Sequence, residues 1–399
     1  MPLAVYILGL SIFAQGTSEL MLAGLLPEMA ADLGVTVPDA GLLISAFAIG
    51  MLVGAPVLAV VTLRWPRRTA LLTFMVIFAL THVAGALTSS YGMLFATRVA
   101  GAFVYAGFWA VAAATAVGLV PPNVRGKAMS VLAGGLTVAT IIGLSLGTVI
   151  GQHLGWRAAF WAVAALSVLA AAGVLATIPG GRPRSGAAPS LSAELRSLAT
   201  SRLWLAFGTT ALTTGALLAS FSYLSALLVD TTGLESAWVP AVLALYGLGS
   251  LIGITIGGRS ADARPFLSLY TGIAGLIVTS AALAMGAPVA ALAVPLIFLL
   301  GAFGFATNPA LNTRVFALAK DAPTLAAALN VSSFNVGITA GPWLGGLAIA
   351  AGLGYASVAW IGAAIGVVSL GTVALAAGLQ RRDSAVAGSV ESGEIRSAV

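Results

Sequence analysis

Long apolar runs separated by short polar turns dominate the chain. Twelve runs are legible, at residues 3–26, 41–63, 69–87, 93–120, 128–150, 158–178, 203–229, 238–257, 266–285, 289–317, 325–350 and 357–379. Each is close to the ~20 residues that a helix needs to cross the hydrocarbon core of a bilayer. Pro27 and Pro38 punctuate the acidic turn after the first run, and the basic turn Arg64-Trp65-Pro66-Arg67-Arg68 closes the second. Residues 179–202 switch to Gly, Pro, Ser, Arg and Glu, a composition that cannot stay in lipid. The pattern predicts an all-α membrane protein of twelve transmembrane helices. It divides into a six-helix bundle at 1–178, a cytoplasmic linker at 179–202, a second six-helix bundle at 203–380 and a disordered polar tail at 381–399.

The two halves repeat. Gly50-Met-Leu-Val-Gly54 matches Gly249-Ser-Leu-Ile-Gly253, and Gly101-Ala-Phe-Val-Tyr-Ala106 matches Gly301-Ala-Phe-Gly-Phe-Ala306. Leu154-Gly-Trp-Arg before helix six matches Leu353-Gly-Tyr-Ala before helix twelve. Each pair holds the same place in its half. Parallel repeats about an axis along the membrane normal build a central site between two rocking bundles in one class of secondary transporter.

Composition narrows the chemistry. The 399 residues are 59% hydrophobic and 8% charged, with a mean hydropathy of +1.05, against about 25% charged in a soluble domain. Cys 0 and His 2 leave no thiolate chemistry, disulfide or metal cluster to argue for. No nucleophile and base meet at one depth, so an enzyme is not expected. The net charge of +6 does not point to nucleic acid, because all but two of the 18 Lys and Arg residues fall in alternate loops. That bias marks the cytoplasmic side and places both termini there. The exceptions are Arg157, in an outer loop, and Arg98, inside helix four.

Glu19 is the one acidic residue expected in the interior of a span. A charge at membrane depth costs at least ~2.5–3.5 kcal/mol, so such residues face protein or water and mark proton or substrate paths. Gln15 shares its face one turn earlier, and Arg98 is expected at the same depth, roughly 10 Å from the outer end of its helix at 1.5 Å per residue. Similar depth permits an ion pair between Glu19 and Arg98, with His82 a weaker third candidate. Glycines four apart, as in Gly337-Ile-Thr-Ala-Gly341-Pro342-Trp-Leu-Gly345-Gly346, make a flat face for close helix packing.

These features together resemble the major facilitator superfamily, and within it the twelve-helix drug:proton antiporters. The loop motif near G-x-L-A-D-R-x-G-R-R is recognisable as Gly258-Arg-Ser-Ala-Asp262-Ala-Arg264. Its first-half copy keeps Arg64, Arg67 and Arg68, with Leu63 where the Asp would stand. The antiporter glycine motif is complete in helix eleven and worn in helix five, as Gly143, Gly147 and Gly151. Segments such as MPLAVYILGLSIFAQGTSELMLAGLLPEMAADLGV and VPPNVRGKAMSVL are similar to the actinobacterial chloramphenicol exporters of this superfamily. The resemblance implies a central pocket lined by helices one, four, seven and ten, bringing together Gln15, Tyr105, Trp109, Phe221, Phe303, Asn308 and Asn312. It implies Glu19 and Arg98 as the proton-coupling pair and Arg64, Arg67, Arg68, Asp262 and Arg264 as gating residues.

The expectation is a monomeric exporter in the bacterial cytoplasmic membrane that exchanges an amphiphilic drug, chloramphenicol or a related phenicol, for protons. It would use the proton gradient and no cofactor. Export of a sugar or small metabolite on the same scaffold is the alternative. A non-transporting receptor is a weaker one, since a large soluble domain is missing from the sequence.

Overall fold

Lipid offers an exposed backbone no hydrogen-bond partner, so an apolar chain of this kind closes its amide bonds within helices. A computed structural model describes residues 1–62, 65–121, 124–180, 200–261, 264–319 and 323–397, and among the described residues it contains helices and no strands. The twelve long helices are α1 (Leu3–Gly24), α2 (Val37–Val61), α3 (Arg67–Leu87), α4 (Tyr91–Gly118), α5 (Lys127–Leu154) and α6 (Trp156–Thr177), then α7 (Ser201–Thr231), α8 (Ser236–Ala261), α9 (Pro265–Gly286), α10 (Ala290–Leu318), α11 (Pro323–Ala350) and α12 (Ala356–Ser397). Eleven of them contain a stretch long and apolar enough to cross a membrane, and α11 has the length. The twelve-helix, two-repeat architecture read from the sequence is the one observed.

Three details differ from the sequence reading. First, α1 is α-helical only to Leu20 and tightens into a 3-10 turn over Met21–Gly24. Second, the turn after it holds a short helix, Leu26–Leu33, with Pro27 and Glu28 in its first turn, where a missing N–H and a negative charge are both favourable, and with left-handed Gly34 as its cap. Third, α12 runs on to Ser397 where a disordered tail was expected. Its last segment, AVAGSVESGEIRS, contains no proline to end the helix. The expected linker lies mostly at 181–199, outside the described residues, as do Arg64 and Asp262.

Packing repeats across the halves. The pairs α1–α5, α1–α6, α2–α4, α3–α4 and α3–α6 recur as α7–α11, α7–α12, α8–α10, α9–α10 and α9–α12. The repeated glycines explain one of these pairs. A Cβ on Gly50 or Gly54 would be driven into the α4 backbone at Val99 and Phe103, and one on Gly249 or Gly253 into α10 at Phe298 and Ala302. Close approach of the two backbones requires those positions to be bare.

The halves meet along α2–α11 and α5–α8. Ser45 Oγ donates to the Thr339 carbonyl at 2.9 Å, Gln152 Nε2 to the Ser236 carbonyl at 2.8 Å, and Tyr223 Oη reaches toward the Pro38 carbonyl at 3.5 Å. All three sit toward the end of the bundle remote from the N-terminus, called here the far end.

Candidate functional site

The site begins with the rotation of α1. Leu3, Tyr6 and Leu10 form its exposed stripe, at 65%, 53% and 38%. Glu19 follows Leu10 by nine residues, two and a half turns, and so lies on the opposite face, toward the protein interior. Glu19 is surrounded by protein and retains some accessible surface, whereas its neighbours Gln15 and Ser18 have none. It is five residues from the end of α1, roughly 8 Å at 1.5 Å per residue.

Arg98, 2% exposed, enters from the far-end portion of α4, and its charge and that of Glu19 interact. The two are not within salt-bridge distance of each other. Arg98 Nη1 instead donates to Ser18 Oγ at 2.7 Å, and among the described residues the one pair within salt-bridge distance is Arg157–Asp32. The guanidinium carbon lies 4.3 Å from the centre of the Phe47 ring of α2, a seat that attracts a cation.

Behind Ser18 stands His82 of α3, with Nε2 2.6 Å from Ser18 Oγ and Nδ1 2.8 Å from the Phe78 carbonyl. Gln15 Nε2 donates to Met75 Sδ at 2.7 Å. Tyr105 of α4 packs against Phe47 and Phe78, with ring centres 5.9 and 6.3 Å away. The Trp109 indole lies near its hydroxyl without reaching hydrogen-bond geometry. Four buried polar atoms in this cluster have no partner: Gln15 Oε1, Arg98 Nε, Arg98 Nη2 and Tyr105 Oη. Buried polar atoms are nearly always satisfied, and exceptions mark places for water, ions or ligands.

The second-half residues of the expected pocket do not join this cluster. Phe221 stacks on Tyr246 of α8 at 4.3 Å. The Phe303 ring fills the space over Gly275 of α9. The rotation of α10 explains it, because Gly301 faces Tyr246 and Ser250 of α8 and Gly304 faces Leu217 of α7, leaving 303 to α9. Asn312 is used in packing. Its Nδ2 donates to the Asn308 carbonyl, and its Oδ1 accepts from Asn330 of α11 at 2.8 Å, while Asn330 Oδ1 accepts from Thr210 of α7 at 3.2 Å.

Of the loop-motif residues in view, Arg67 Nη1 donates to the Ala114 carbonyl of α4 at 3.1 Å, Arg68 lies at the end of α6 near Gly180, and Arg264 leads into α9. The α11 glycines serve two contacts. Gly337 and Gly341 lie against α7 at Ala211, Gly215 and Ala219. Gly345 and Gly346 form, with Gly41 of α2, a slot around the Tyr223 ring, whose hydroxyl donates to the Pro342 carbonyl at 3.0 Å. The worn α5 glycines 143, 147 and 151 do the equivalent work against Thr17 and Met21 of α1 and Leu25 just beyond it.

The Major Facilitator Superfamily model matches residues 8–330. The chain belongs to the major facilitator superfamily. Among curated relatives, a chloramphenicol resistance protein of Streptomyces lividans is 48% identical over 86% of this chain and 88% of its own. The MFS-type transporter YtbD of Bacillus subtilis is 36% identical over 93% and 94%. In fold, the nucleoside transporter NupG superposes with a TM-score of 0.75 at 16% identity, covering 94% of this chain and 99% of NupG. An inward-facing bacterial homolog of the lysosomal transporter Spinster superposes at 0.68 and 18% identity, with 94% of each chain covered. This superfamily member is thus a multi-pass membrane transporter.

Ser18, Phe47, Tyr223 and Asn330 escaped the sequence reading. The α11 glycine motif was the available signal for Tyr223, since a flat glycine face four residues from a proline needs an occupant.

Proposed function

We propose that this transporter exports an amphiphilic drug of the phenicol class in exchange for protons, across the bacterial cytoplasmic membrane with both termini inside. Glu19 takes up and releases the proton, and Arg98 sets how firmly it is held. The observation that carries this reading is the placement of Glu19 on the interior face of α1 with accessible surface of its own, beside a cation seated elsewhere. A carboxylate with no partner in an apolar bundle has reason to bind H⁺, and a cation that can move toward it supplies a reason to let go. The enclosed, unpartnered atoms of Gln15, Arg98 and Tyr105 lie among the rings of Phe47 and Phe78, a mix of polar and aromatic chemistry that would suit an uncharged amphiphile once the halves part around it. The phenicol class is supported by the Streptomyces relative. The basic loops support the orientation.

The test is export of chloramphenicol from proteoliposomes driven by an imposed pH gradient. Glu19→Gln is expected to abolish gradient-driven export while leaving the protein folded. Gradient-driven export retained by Glu19→Gln removes the proton role, and failure of the unaltered protein to move any phenicol removes the cargo.

A further inference from the structure

Proton positions around Ser18 follow by elimination. The Phe78 carbonyl can only accept, so His82 Nδ1 carries a hydrogen and donates it. Ser18 Oγ accepts from Arg98 Nη1, which leaves its own hydrogen for His82 Nε2. A His82 protonated on both nitrogens would put two cations on one hydroxyl oxygen, with neither in salt-bridge contact with an acid. The neutral form completes every bond. The His82 ring is 3% exposed and held between Phe78 at 4.3 Å and Phe160 at 5.6 Å, so Nε2 is a fixed acceptor.

We propose that Ser18 and His82 form a docking post that holds Arg98 away from Glu19, and that His82 is a positioning residue for proton exchange which touches neither proton nor cargo. The inference rests on the reading of Glu19 as the proton carrier. Ser18 and Glu19 are consecutive on α1, about 100° apart, so one guanidinium can serve either side. Arg98 already has Nε and Nη2 without partners. With the post intact, Nη1 is committed to Ser18 and the group rests on Phe47. With the post removed, all three nitrogens are free to turn to the carboxylate, and the forked geometry of guanidinium and carboxylate favours that pairing. The charged group that acts on His82 is Arg98 from α4, and Glu19 follows Ser18 on α1; Tyr105 of α4 interacts with Glu19, α2 presents Phe47 to Arg98 and α6 presents Phe160 to His82. A carboxylate locked to Arg98 keeps its charge into more acidic solution, so losing the post moves the pH profile of exchange to the acid side.

The test is the infrared carboxylic-acid band of Glu19, titrated in the purified full-length protein and assigned by its disappearance in Glu19→Gln. The pH profile of chloramphenicol export is followed in parallel. Ser18→Ala is expected to shift both profiles to lower pH by roughly one to three units, the range an adjacent arginine imposes on a carboxylate, and His82→Leu, which leaves the Ser18 oxygen but frees its hydroxyl to rotate, shifts them the same way by less. His82→Gln, which keeps an acceptor for the Ser18 hydroxyl, is expected to restore most of the shift. A purely structural role for His82 would lower export while leaving both midpoints in place, and that result overturns the proposal. Where His82→Leu does not fold, Ser18→Ala, the loss of one oxygen, decides alone. A titrating band that Ser18→Ala leaves unmoved overturns the docking post only. An unaltered protein with no titrating band removes the proton reading and this inference with it.

Discussion

The Tyr223 slot is a place where a single methyl group should change the balance between conformations. A Cβ on Gly41 would lie 2.6 Å from Tyr223 Cζ and 2.7 Å from Cε1, far inside contact distance. On its other side the ring packs closely on two more glycines, since a Cβ at Gly345 would stand 3.2 Å from Cε2 and one at Gly346 would stand 2.7 Å from Oη. Gly41→Ala therefore forces the ring out or the halves apart. Overpacking costs ~1–3 kcal/mol, and loss of the Tyr223–Pro342 hydrogen bond adds about 1 kcal/mol. A total of ~2–4 kcal/mol, at 1.4 kcal/mol per decade, moves the equilibrium roughly 30- to 700-fold toward states with the far end open. The chain contains Cys 0, so spin labels can be placed cleanly at exposed far-end positions of each half, as Leu154→Cys and Leu353→Cys. Pulsed electron-spin distances are expected to show one short population in the parent and a new, longer one in Gly41→Ala. Tyr223→Phe keeps the ring and loses the hydroxyl, and is expected to shift the balance only about five-fold. An unchanged distance distribution in a well-folded Gly41→Ala protein would refute the slot as the far-end closure.

Two further outcomes concern stability. The Asp32 carboxyl is held below the usual carboxylate range, first by its hydrogen bond from Arg157 and then by that from Trp156. A lowered folded value means stability that is fully present above the unfolded carboxylate value of about 4 and is lost as pH falls through the folded one. The Arg157 and Asp32 side chains are 34% and 45% exposed, so Asp32→Asn should cost under about 1 kcal/mol at pH 7. The gap in melting temperature from the parent should close below about pH 4, and a constant gap would show that the pair contributes nothing. Asn330, 2% exposed, joins Asn312 to Thr210. Asn330→Leu should therefore destabilise by ~1–3 kcal/mol for the buried polar atoms it strands, an expectation that an unchanged thermal unfolding curve would contradict.

Much of this was legible because lipid imposes a simple grammar. Spans had to be uninterrupted and apolar, close helix pairs had to show glycine at matched places, and a lone acid at membrane depth had to face inward. Glu19 obeys that last rule. Rotation and cross-helix partnership were not legible. Phe303 was placed in the pocket by its helix number, but the facing of α10 is set by what Gly301 and Gly304 must touch. Arg98 was matched to Glu19 by depth and charge. Its actual partner is a serine, which carries no distinguishing pattern, and the serine matters because of a histidine 64 residues away. Tyr223 needed glycines from α2 and α11 to reveal its setting, and sequence distance hides such slots.

The polar asymmetry of the two bundles bears on how a proton would move cargo. In the second half, hydroxyls pair with hydroxyls: Thr209 with Thr372, Thr213 with Ser369, Ser220 with Ser280. None of these hydroxyls changes charge at ordinary pH, and the charged Arg314 of α10 rests against the Phe266 ring of α9. The first half holds the acid, the arginine and the histidine, and so is the half whose internal electrostatics can respond. The response has a short route to the seam. From Glu19 the chain passes within two residues into the 3-10 turn Met21–Gly24, where Gly24 packs closely on Thr148 of α5 and near Leu243 of α8. A 3-10 turn is a weaker continuation of a helix than an α turn, and it gives first where load is applied. If Glu19 carries the proton, a change in its charge acts on the one stretch of α1 that yields and that also touches the other half. Coupling between proton and seam then needs no relay through the bundle core, only a displacement of α1's last turn against α8.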